Sequence, residues 1–159
     1  MSVLGRFKPL PTAEQVVVGP SLPPGTESYF QDTITLGWEE RLRTRGRRTS
    51  DRGVEFGTAL PRGTVLRGGD RLVLAMLRLV VTVVERAEPV LVIRPATPED
   101  WGLYGYHIGN SHQPIMITAD EIVCPDILGV RQILEHHRIP FIEREQPFTP
   151  VALNLDHRH

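Results

Sequence analysis

Six histidines give this chain its clearest chemical means, because neutral imidazole nitrogen is the commonest ligand for divalent nickel, copper and zinc. Their spacing limits how they can act. His107 and His112 stand five residues apart, roughly 140° around a helix, so they would not share a face even if one helix ran through both. No His-Glu-x-x-His string is present, and no two histidines fall at i, i+4. His157 and His159, at i, i+2, lie on one side of an extended tail and could both reach one ion; a terminal His-Arg-His is equally a solvated chain end. His136 and His137 precede Arg138 and Pro140 at the end of a helical pattern, where the helix dipole favours positive charge. A single His112 per chain cannot fill a coordination sphere. Two copies across a twofold axis supply a pair, and the tails can add the remaining ligands.

Arginine is the second resource. Seventeen of the 18 basic residues are arginine and five fall between positions 41 and 48. Arg41, Arg43, Arg45 and Arg47 recur with period two, which in a strand turns all four guanidinium groups the same way. Such a ribbon suits phosphates or the carboxylates of a protein partner, both of which arginine grips bidentately, and it equally suits an edge strand guarded by charge. The formal net charge of −1 speaks against general coating of nucleic acid. The single cysteine, Cys124, excludes an intramolecular disulfide and multi-cysteine zinc motifs. It follows an apolar strand and reads as a small buried residue.

The elements that hold these groups follow from periodicity. A length of 159 residues with 40% hydrophobic content fits one domain or two small ones. Residues 1 to 30 hold five prolines and read as an extended lead-in, with one strand at Val16-Val17-Val18. Alternation then places Ile34 with Leu36, Val54 with Phe56, Val65, and Leu72 with Leu74 in a small antiparallel β domain closed by Leu79 to Val84. Glu85-Arg86-Ala87-Glu88-Pro89 marks a boundary, giving a β domain over 1–88, a second domain over 89–147 and a tail over 148–159. In the second domain Val90 to Arg94 reads as a strand. Thr97-Pro98-Glu99-Asp100 opens a helix with an N-cap threonine and proline at the first helical position. Trp101, Tyr104 and Ile108 form its buried stripe, and Gly109-Asn110 reads as the left-handed stop. Two short strands follow, at Ile115 to Ile117 and Glu121 to Cys124. Asp126 is read as the cap of a second helix with Ile127, Val130 and Leu134 inward, and Phe141 to Glu145 is the last strand. The order β-α-β-β-α-β is a ferredoxin-like unit, so the fold class is α+β. The longest apolar run, Leu72 to Val84, is interrupted by Arg78 and is too short to span a membrane. The chain reads as soluble, unprocessed and cytoplasmic.

The string Tyr106-His107-Ile108-Gly109-Asn110-Ser111-His112 resembles the signature of the urease accessory protein E family, the nickel metallochaperones, which carry Tyr-His-Leu-Gly-Asn-Arg-His before an apolar strand. The similarity extends upstream to Trp38-Glu39-Glu40-Arg41 and to Leu60 through Leu66, closing on Gly69-Asp70. Downstream it takes in Gln146-Pro147-Phe148-Thr149-Pro150 and the His157-Arg158-His159 tail. Ser111 departs from the usual basic residue, and Val151 through Leu155 replaces the family's Glu-x-Gly-Ala-Tyr. The resemblance implies a β domain followed by a ferredoxin-like domain, with His112 at a homodimer interface. It implies nickel as cargo, with Zn2+ or Cu2+ able to occupy the same site, and His157 and His159 as further ligands. It favours a protein partner for the arginine ribbon: the urease apoenzyme complex or the GTPase that loads nickel into it. No catalytic role is expected, and neither nucleic acid nor membrane is an expected partner. The rivals are a metal-dependent hydrolase, for which no general-base carboxylate or nucleophile motif lies near the histidines, and a small RNA-binding protein, whose sheet would need aromatic residues this one lacks.

Overall fold

A computed structural model describes residues 9–151. His157, His159 and the rest of the tail beyond 151 lie outside the described residues. The chain divides into two compact units, Met1–Glu85 and Arg86–His159, and each is built around its own core.

In the first unit the strands are β1 (Thr12–Ala13), β2 (Val16–Val17), β3 (Phe30–Leu36), β4 (Arg45–Thr49), β5 (Glu55–Ala59), β6 (Arg71–Leu74) and β7 (Leu79–Glu85), with a short helix α1 at Trp38–Leu42. They form a three-stranded sheet in the order β1-β5-β4 and a four-stranded sheet in the order β2-β6-β7-β3. The β domain is therefore present, with mixed pairing: β1 with β5 and β3 with β7 are parallel, the other pairs antiparallel. Alternation along β3 explains its placement. Ile34 and Leu36 point into a core with Phe56, Leu66, Leu72, Val81 and Val83, and each such burial contributes about 1.5–3 kcal/mol. Thr33 and Thr35 point outward, where both hydroxyls donate to Asp51 Oδ2 at 2.6 and 2.9 Å. Val65 is not in a strand; it lies in the irregular stretch before β6, and its neighbour Leu66 takes the core position.

The second unit contains β8 (Glu88–Ile93), α2 (Pro98–Asn110), β9 (Met116–Ile117), β10 (Ile122–Pro125), α3 (Leu128–His136) and β11 (Ile142–Gln146). Sheet order is β11-β8-β10-β9 with every pair antiparallel, the expected ferredoxin-like arrangement. Leu91 and Ile93 of β8 and Ile122 and Cys124 of β10 share one core with Ile108 of α2 and Val130 and Leu134 of α3. Trp101 and Tyr104 pack against it, as their spacing with Ile108 requires. Two details of the helices differ from expectation. Asp126 does not cap α3, whose N-cap is Ile127 with no side-chain bond. Its carboxylate instead receives two hydrogen bonds from Arg131, at 3.2 and 2.7 Å, because a forked guanidinium five residues on outcompetes a single backbone N–H. Ile127 is accordingly 44% exposed and outside the buried stripe.

Candidate metal centre

The segment around His112 starts from a well-made helix. Thr97 Oγ1 accepts from the Asp100 N–H at 3.1 Å, and the Asp100 carboxylate accepts from the Thr97 N–H at 3.2 Å, a reciprocal capping pair. From there α2 runs to Asn110, anchored by Ile108, which is fully buried. Gly109 and Asn110 are helical; the residue in the left-handed conformation is His112 itself, at φ 56°. Its N–H donates to Gly109 O at 3.0 Å and that of Ser111 to Ile108 O at 3.2 Å. The Ser111 hydroxyl donates to Ile108 O at 2.6 Å, so the residue standing in for the usual basic one closes the last turn. Helices commonly end on a left-handed residue that is glycine, or sometimes asparagine. Here a Cβ-bearing histidine takes that place and its side chain is exposed.

No three His, Cys, Asp or Glu side chains among the described residues are arranged to hold an ion. Cys124 is fully buried, and that burial pushes its thiol up to about 12, so a thiolate ligand is not to be had there near neutral pH. His112 therefore stands as one exposed imidazole on a rigid mount. A lone imidazole leaves at least three positions of a four-coordinate ion unfilled.

The other described histidines gather elsewhere. The rings of His107 and His137 stack with centroids 3.7 Å apart and planes 19° from parallel. His136 meets His137 edge-on at 4.8 Å. Position along the chain gave no sign of this, since it arises from the packing of α2 against α3.

The arginine ribbon is shorter than its period suggests. Arg41 lies in α1, not in a strand, and is 1% exposed; Nη1 donates to Leu66 O at 3.2 Å and sits 3.4 Å from Glu85 Oε1. The reason is local: Glu40 accepts from the Gly37 N–H at 2.9 Å and starts a helical turn, so the period-two reading fails before position 43. Arg43 ends that turn, and Arg45 and Arg47 lie two apart on β4, all three exposed. Arg48 is turned inward and its guanidinium donates to Glu40 O at 3.0 Å and Arg43 O at 2.6 Å.

Two family models, described as the N-terminal and C-terminal domains of the UreE urease accessory protein, match residues 16–85 and 88–159. The chain belongs to the UreE urease accessory protein family. Among UreE relatives, it is 40% identical to the urease accessory protein UreE of Citrobacter koseri over 127 residues, 80% of this chain and 84% of that one. To UreE of Thermosynechococcus vestitus it is 34% identical over 128 residues, covering 80% and 89%. To UreE of Bradyrhizobium sp. strain ORS 278 it is 37% identical over 119 residues, which is 75% of this chain but only 56% of the longer relative. No helix among the described residues is long and apolar enough to cross a membrane.

Proposed function

We propose that this chain is a urease-maturation metallochaperone that carries nickel at a homodimer interface built from His112 of two copies, with His157 and His159 as further ligands. The observation that carries the reading is the state of His112: exposed, held in the left-handed conformation past the end of α2, and in no three-ligand group among the described residues of its own chain. A partly assembled site is what a carrier needs. Two imidazoles hold the ion, and water or mobile groups fill the rest, so an acceptor with more ligands can take it.

The exposed side of α2 supports a dimer through this region. Leu103 and Tyr106 are 52% and 64% exposed and lie on the face opposite Trp101, Tyr104 and Ile108, where a solvent-facing helix would carry polar groups. A second copy laid against this face would remove them from water. Arg43, Arg45 and Arg47, in the other unit, form the surface for an acidic partner, which we assign to the urease apoenzyme complex or its nickel-loading GTPase. Nickel is the cargo, and Zn2+ and Cu2+ compete for the same imidazoles. The chaperone catalyses no bond-breaking step and works in the cytoplasm. Nickel titration read by native mass spectrometry tests the proposal: the first ion should appear on the dimer, and full-strength binding of an ion to a monomer would refute the interface.

A further inference from the structure

The stacked imidazoles of His107 and His137 are brought together by tertiary packing, and each is held by its backbone. His107 is half-buried in the last turn of α2, three residues before its end at Asn110. His137 caps α3, and the turn beyond it is fully specified. Arg138 takes the left-handed conformation at φ 55° and donates its N–H to Glu135 O at 3.1 Å, while the Ile139 N–H reaches back to Leu134 O at 2.8 Å. These two bonds are the paired closure of a Schellman motif, and Leu134 and Ile139 supply its apolar contact in the core. His136, the last helical residue, presents its ring edge-on to His137.

A parallel stack of imidazoles becomes repulsive once both rings are protonated. The three rings offer only nitrogen donors, which suit the borderline divalent ions over calcium or magnesium.

We propose that His107, His137 and His136 form a second metal site, separate from His112, that takes one borderline divalent cation such as Zn2+, Ni2+ or Cu2+ by unstacking the His107–His137 pair. In-plane lone pairs on two face-to-face rings point side by side rather than at a common centre, so the stack is the metal-free form. One ring must turn for both nitrogens to meet an ion. The exposed His137 is the ring free to turn, and His107, fixed by its helix, is the one it turns against. This explains why three histidines lie together while no ready-made three-ligand group exists among the described residues.

The full chain carrying His112→Ala, His157→Ala and His159→Ala retains only these three of its six histidines, so the test does not depend on the role assigned to His112. Diamagnetic Zn2+ is titrated while the imidazole Cε1 protons are followed by NMR. The expected result is that the His107 and His137 resonances move together and saturate near one equivalent, and that adding His137→Ala weakens binding at least roughly tenfold. His107→Ala should do the same, and because His137 is exposed its variant keeps the test valid if His107→Ala disturbs the helix. Resonances that drift without saturating, or a His137→Ala chain that binds Zn2+ unchanged, would overturn the site.

Discussion

The Arg41 guanidinium lies 3.4 Å from the Glu85 carboxylate with only 1% of its side chain exposed, which makes it a structural residue of the first unit and separates it from the arginines that follow. Arg41→Ala should destabilise that unit by about 2–4 kcal/mol, since Glu85 and the Leu66 carbonyl lose a buried donor. Arg45→Glu with Arg47→Glu should change stability by no more than roughly 0.5 kcal/mol per site, yet weaken docking to an acidic partner. Urea unfolding alongside a pull-down with the urease complex distinguishes these effects; equal destabilisation by both sets would contradict the division.

Glu121 receives hydrogen bonds from Arg144 at 3.1 Å on both carboxylate oxygens and from Arg94 at 3.0 Å. The Arg144 bonds first, then Arg94, hold its carboxyl below the usual range against the opposing effect of burial. A depressed folded-state pKa contributes stability that is present above the unfolded value and is lost as pH falls through the folded one. Glu121→Gln should therefore cost on the order of 1 kcal/mol at neutral pH and should flatten the acid limb of a melting-temperature profile. An acid limb identical to wild type would mean that other carboxylates set it.

With its thiol pushed up to about 12 by burial, Cys124 should resist thiol reagents in the folded protein and react at the normal rate only in denaturant. Cys124→Ala should leave nickel affinity unchanged. A loss of affinity in that variant would place sulfur in the coordination sphere.

How much of this was legible in the sequence depended on whether a residue's role was local. The ferredoxin-like order could be read because each element declared itself: Thr97-Pro98 opens α2, and Trp101, Tyr104 and Ile108 mark its inward face. Arg41 escapes the period-two pattern because that period describes a strand only where the backbone is extended, and the Glu40 capping bond makes it helical there. Asp126 looked like a cap because spacing cannot reveal that Arg131 competes for it. Conformational preference puts the left-handed residue after α2 at Gly109-Asn110, whereas the fold gives it to His112. The meeting of His107 with His137 had no local signal at all, since they stand 30 positions apart with a strand pair between them.

His112 at φ 56° carries a conformational cost that glycine would not, on the order of 1 kcal/mol for a residue with a Cβ. His112→Gly should therefore hold or raise the stability of the metal-free protein by up to about 1 kcal/mol, less whatever the more flexible unfolded chain returns. Thermal melts in chelator check this. A clearly lower melting temperature would mean that the imidazole makes stabilising contacts of its own.

The central claim is that His112 from two chains holds the cargo ion, and metal-linked dimerisation measures it most directly. Dimer dissociation constants are determined by sedimentation, with and without nickel, for wild type and His112→Ala. Nickel should tighten the wild-type dimer, because an ion bound by both chains stabilises their association by mass action. The His112→Ala protein should be a folded dimer in chelator and show no tightening with nickel. Equal nickel-induced tightening in both proteins would contradict the account.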